Sequence, residues 1–208
     1  MTKLSYSQAG QDIFVINCLN HKKNGIFLDL GCSDPIIINN TYLLETQYGW
    51  KGLSVDIDKT MTDKYVNRNT HVWDLDATKL DFNSVIEICT DKIDYLSLDL
   101  EPAAETFNCL QTIPFDRIDF SIITYEHDFW RYGDEYRDKS RELLTKHGYK
   151  IICANVLSFD NIVFEDWYYN PKYIDYKNIK HFESDGEKWQ TILDRCLDHQ
   201  PKFGSEES

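Results

Sequence analysis

Apolar residues along this chain follow two rhythms. Short, nearly continuous apolar runs such as IFLDL (26–30) and FSIITY (120–125) alternate with segments in which apolar positions return every three or four residues. The runs predict strands over Ile26–Leu30, Gly52–Asp56, Thr70–Trp73, Asp94–Leu98, Phe120–Tyr125, Lys150–Val156 and Asn161–Trp167. The periodic segments predict helices over Ser7–Leu19, Asn40–Tyr48, Lys59–Asn67, Phe82–Cys89, Ala103–Leu110 and Glu135–His147, the last stopped by Gly148.

Strands that alternate with helices imply an α/β fold, a largely parallel sheet covered on both faces. The connection Leu157–Asp160 is too short for a parallel crossover, so the last two strands form an antiparallel hairpin. The expected organisation is a single domain over 1–208. It has an N-terminal helix or cap (1–20), a Rossmann-like core (25–168) and a C-terminal extension (170–208) with one helix near Glu187–Leu197 and a disordered GSEES end.

Composition narrows the partners. Twenty-two basic against 35 acidic residues leave a net charge of −13. Polyphosphate backbones are held by clustered Lys and Arg, so nucleic acid is not expected as the partner. No apolar stretch reaches the length of a membrane span and the N-terminus lacks a signal core, so neither membrane association nor export is expected, and the cytoplasm is the expected location. The six cysteines form no CxxC pair and are read as reduced, buried thiols.

In open α/β sheets ligands bind beyond the carboxyl ends of the strands. Those ends carry Asp29 with the turn GCSDP, Asp56, Asp74 with Asp76, Asp99 with Glu101, and Glu126-His127-Asp128. Gly31 lets backbone approach a ligand, and Asn39-Asn40-Thr41 opens the next helix with capping residue types. The first turn has one glycine and no nearby cation, unlike a pyrophosphate loop. A rim this acidic argues against NAD and suits a cationic, phosphate-free nucleoside, of which S-adenosylmethionine is the obvious case. A pure scaffold has no use for so many self-repelling carboxylates, which counts against a non-catalytic module.

The segments SQAGQD (7–12), GIFLDLGCSDPIIINNTYLLE (25–45), GWKGLSVDID (49–58), RNTHVWDLDAT (68–78), YLSLDLEP (95–102) and ITYEHD (123–128) together resemble the FkbM family of class I S-adenosylmethionine-dependent methyltransferases. The resemblance spans about residues 5–155. It implies a three-layer sandwich on a seven-stranded sheet whose inserted last strand is antiparallel, and O-methylation of hydroxyl groups, often on sugars. It also implies that Asp29 and Gly31 form the first cofactor motif, that Asp56 holds the ribose, that Asp76 lies at the adenine and that Asp99 lies near the methyl group. Gln11, Ser33, Asn40, Thr41, Ile57 and Ala77 complete the expected cofactor set. Cys32-Ser33-Asp34-Pro35 and Pro102 depart from the family's glycine-rich pattern.

The expected acceptor is a small molecule or glycan, with a deoxysugar hydroxyl as the leading case and a natural product or lipid as the alternative. A hydroxyl must lose its proton as it is methylated. The leading base is His127, oriented by Glu126 or Asp128. The alternative is a divalent cation, Mg or Mn, held by Asp99, Glu126 and His127. Glu101, Asp128 and Trp130 are expected to touch the acceptor, whereas Trp167 reads as core. Gln8 of the N-terminal segment is a further candidate for contact with cofactor or substrate. Oligomeric state is not legible.

Overall fold

A computed structural model describes residues 5–198, with side chains for 5–196; the GSEES end lies outside the described residues. One sheet organises the chain. Its strands are β1 (Ile26–Leu30), β2 (Lys51–Asp56), β3 (His71–Asp74), β4 (Lys92–Leu98), β5 (Asp119–Glu126), β6 (Lys150–Leu157), β7 (Val163–Tyr169) and β8 (Ser184–Asp185). They lie in the order β3-β2-β1-β4-β5-β7-β6-β8. β1 to β5 pair in parallel, and β7 is antiparallel to both neighbours. The sheet has eight strands rather than seven. The added one, β8, is two residues beside Cys153 and Ala154, too short to leave a pattern in the sequence.

The helices are α1 (Gln11–Cys18), α2 (Tyr42–Tyr48), α3 (Lys59–Thr62), α4 (Phe82–Cys89), α5 (Ala103–Thr112), α6 (Phe129–Tyr132), α7 (Asp134–Lys146), α8 (Tyr176–Ile179) and α9 (Trp189–Asp198). Successive strand residues face opposite sides, so each strand feeds two cores. Phe27, Tyr95 and Ile122 pack with Phe14, Trp50 and Trp167 on one face. Leu28, Leu96 and Ile123 pack with Val85, Leu110 and Leu144 on the other. Burial of each such side chain contributes roughly 1.5–3 kcal/mol. All six cysteines are buried and unpaired.

Three boundaries differ from expectation for identifiable reasons. The first helix begins at Gln11 because Gly10 is left-handed (φ 73°). The preceding segment is instead gathered by buried Asp12, which accepts from Ser5 Oγ (2.6 Å), Tyr6 N (2.8 Å) and Ser7 Oγ (2.9 Å). The second helix begins at Tyr42 because Asn39 Oδ1 accepts the Tyr42 amide (2.8 Å). The expected helix over 59–67 is α3 followed by a separate 3-10 turn, Tyr65–Asn67. No helix among the described residues is long and apolar enough to cross a membrane.

Candidate active site

The strand order reverses between β1 and β4, and a cleft of about 850 Å³ opens there beyond the strand ends. Asp29, Gly31, Ser33, Asn40, Asp56, Ile57, Asp76, Ala77, Asp99, Glu101 and Glu126 line it, and no Lys or Arg among the described residues does. Gly31 is left-handed (φ 86°), and a Cβ placed on it would sit 1.7 Å from the carbonyl oxygen of Asp99. Only glycine permits this meeting of β1 and β4.

Asp29 is buried at the end of β1, where Thr41 Oγ1 donates to its Oδ2 (3.0 Å). Burial pushes its carboxyl up to about 6 against the hydrogen bonds that favour ionisation. Asn40 Nδ2 donates to Ser97 Oγ (3.0 Å), and its Oδ1 is left buried without a partner. Asp56 receives the Ser33 amide on Oδ2 (2.8 Å) and the Asp58 amide on Oδ1 (2.8 Å). A carboxylate has about four acceptor positions, so each oxygen keeps room for a hydroxyl donor. Asp76 caps a 3-10 turn through the Thr78 amide (3.0 Å) and pairs with Lys79 (2.8 Å), which holds its carboxyl down at about 2.

Where β4 and β5 end side by side, the carboxyl groups of Asp99 and Glu126 share a hydrogen bond. Burial, then the neighbouring acids, push both above the usual carboxylate range, Asp99 to about 6. At neutral pH such a pair holds one proton between two carboxyls. Behind it stands Glu165 on β7, directly opposite Glu126 in the strand register. Glu165 accepts from Gln11 Nε2 (2.8 Å), and burial lifts it to about 8. Glu165 was not among the expected residues. Its signal was two adjacent acids, Glu165 and Asp166, inside the otherwise apolar strand VFEDWYY.

Four expected placements are corrected. His127 has no exposed surface and does not reach the cleft. Its Nδ1 accepts the Phe129 amide (3.3 Å) and its Nε2 lies 3.5 Å from Asp166 Oδ1, so it cannot take a proton from an acceptor. Along a strand, neighbouring side chains point to opposite faces, and Glu126 and His127 divide in that way. The metal set of Asp99, Glu126 and His127 therefore does not form, and among the described residues no three His, Cys, Asp or Glu side chains converge on a metal position. Gln11 is buried between the Ala9 amide (2.7 Å) and Glu165; Gln8 lines the cleft instead. Thr41 is buried behind Asp29 rather than in the cleft. Trp130 is exposed near the rim and Trp167 is core.

No protein-family model matches the chain, and no curated protein matches its sequence. Solved structures do match its shape. An rRNA methylase from Streptococcus thermophilus aligns with a TM-score of 0.52 at 14% identity, covering 82% of this chain and 98% of that one. A chain provisionally named an rRNA-methylase, from Clostridium thermocellum, aligns at 0.53 and 14% identity over 80% of this chain and 99% of that one. The Dnmt2 methyltransferase of S. pombe aligns at 0.50 and 15% identity over 70% of this chain and 49% of that one.

The chain shares the α/β Rossmann-like fold of these methylases. The match also corrects the exclusion of nucleic acid. Proteins named as rRNA methylases share this architecture, so a net charge of −13 does not by itself exclude a nucleic-acid partner. Net charge averages over the whole surface, while binding is decided at the patch that meets the ligand.

Proposed function

We propose that the protein is an S-adenosylmethionine-dependent O-methyltransferase. The observation that carries this reading is the cation-free cleft at the strand reversal, lined by Asp29, Asp56, Asp76 and Asp99, with Gly31 giving close backbone approach. The lining fits the cofactor's chemistry. The unpartnered Asn40 Oδ1 and the Asp29 carboxylate suit an ammonium, and the Asp56 carboxylate suits a ribose diol. Ile57, Leu75 and Ala77 offer apolar contact to an adenine. Bound there, the cofactor would supply an electrophilic methyl group, with its thioether as the leaving group.

The protein's own residues then have one task, which is to remove the proton of the attacking hydroxyl. Asp99, hydrogen-bonded to protonated Glu126, is the acceptor of that proton in this reading. A sugar hydroxyl is the leading substrate, supported by the FkbM-like motifs and by the carboxyls at the cleft's end. RNA is a second acceptor class, supported by the names of the chains that share the fold.

Calorimetry tests the cofactor. Micromolar binding of S-adenosylmethionine, absence of NAD binding, and a loss of about tenfold or more in Asp56→Asn are expected, since charge-assisted hydrogen bonds contribute roughly 1.5–3 kcal/mol each. Binding of NAD in preference would overturn the reading. Incubation with labelled cofactor and either hydroxylated sugars or RNA then separates the acceptors.

A further inference from the structure

Beside the cofactor cleft lies a second hollow of about 400 Å³, and the two share Gln8, Glu101 and Glu126. Two of its walls are aromatic and open to solvent: Trp130, 57% exposed, and Phe159 in the β6–β7 turn, 77% exposed. The indole is held in place, because its Nε1–H donates to Asp128 Oδ1 (2.9 Å). Asp128 is itself buried and left-handed (φ 49°) at the start of α6.

The remaining polar lining is acidic. Glu101, Glu126, Asp128 and Asp160 face the hollow, and no Lys or Arg among the described residues lines it. Among the described residues none of the four takes part in an ion pair. The nearby cations are engaged elsewhere: Arg131 lies over the Tyr132 ring and Arg137 over the Phe129 ring. An indole held by its edge presents a negative face, and the carboxylates of Glu101, Asp128 and Asp160, which have no ion-pair partner among the described residues, add to the same field. A phosphate or carboxylate entering here meets repulsion, whereas a cation meets attraction from the ring and the acids together.

We propose that this hollow seats the methyl acceptor and that the part of the acceptor held there carries a protonated amine. The inference rests on the methyltransferase reading above. Entry through the shared wall of Gln8, Glu101 and Glu126 brings the acceptor's hydroxyl to the Asp99–Glu126 pair. The amine then lies against Trp130 and Asp128.

Three ring compounds that differ mainly in charge test it: tyramine, neutral 4-ethylphenol and anionic 4-hydroxyphenylacetate. Each is titrated into protein saturated with S-adenosylhomocysteine and labelled at its five tryptophan indoles, with Trp130→Phe identifying the Trp130 resonance. Tyramine should move that resonance and bind about tenfold tighter than 4-ethylphenol, with no binding of the anion. Asp128→Asn keeps an acceptor for the indole N–H while removing the charge, and should erase most of tyramine's advantage. Equal affinities, no shift by any probe, or a shift of the same resonance by a single-stranded oligoribonucleotide would each overturn the proposal. Binding of S-adenosylhomocysteine is read in its own titration. If it fails while tyramine selectivity persists, the methyl-transfer reading falls and the amine hollow stands; if it succeeds and selectivity is absent, only the present inference falls.

Discussion

His127 Nε2 lies 3.5 Å from Asp166 Oδ1, and neither side chain has any exposed surface. Arg141 completes the group, donating to both oxygens of Asp166 at 2.7 and 2.8 Å. Burial alone would raise the Asp166 carboxyl, but the Arg141 guanidinium and His127 hold it well below the usual carboxylate range. The chain thus buries a carboxylate behind the cleft, neutralises it with the Arg141 guanidinium and sets the His127 ring beside it. His127→Gln is expected to lower stability by about 1–3 kcal/mol, the usual cost of disturbing a buried polar partner, and to leave turnover within about threefold of the parent. Urea unfolding and initial rates measure the two effects. Loss of turnover with stability intact would return His127 to catalysis.

In the proposed reaction Asp99 receives the hydroxyl's proton, and burial raises its carboxyl to about 6. Below that pH the group is protonated and cannot accept. Turnover should rise with pH up to about 6 and then level. Asp99→Asn should cost roughly 10²–10⁴-fold in turnover while cofactor affinity changes little, the span associated with general base catalysis. A pH–rate profile with the same inflection in the Asn variant would remove Asp99 from the proton path.

Glu165 gives a stability signature instead. Its carboxyl is raised from 4.5 to about 8 by burial, so the folded state binds more protons than the unfolded state between those values. The contribution to stability is therefore present below 4.5 and lost as pH rises toward 8. Glu165→Gln keeps an acceptor for Gln11 and removes the titration. Its melting temperature should vary less over this window than the parent's, and should exceed the parent's at the alkaline end.

Gly31→Ala combines a left-handed backbone with a Cβ 1.7 Å from the Asp99 carbonyl oxygen. The backbone conformation alone costs about 1–2 kcal/mol for a non-glycine residue, and relief of the clash must part β1 from β4. A fall in melting temperature together with loss of cofactor binding is expected. Normal stability with normal binding would show that the two strands do not meet as described.

Much of this arrangement was legible in the chain. The apolar runs located seven of the strands to within about two residues, as expected for elements whose side chains are buried on one or both faces. The short loop Leu157–Asp160 by itself dictated an antiparallel pair, because the chain cannot cross over in so few residues. The acids Asp29, Asp56, Asp76, Asp99 and Glu126 were found by their position at strand ends, since topology alone delivers such residues to one rim.

What the chain could not disclose is which way a side chain faces once a strand has ended. Glu126, His127 and Asp128 are adjacent in sequence, yet they lie in the cleft, in the opposite core and beside Trp130 respectively. That division depends on β7 entering between β5 and β6, which supplies Asp166 to one face and Glu165 to the other. Periodicity and spacing are local quantities, so they determined the elements and their carboxylate-bearing ends. The pairing of carboxyls, the burial of the histidine and the second hollow arise from contacts between distant segments, and only the packed chain decides them.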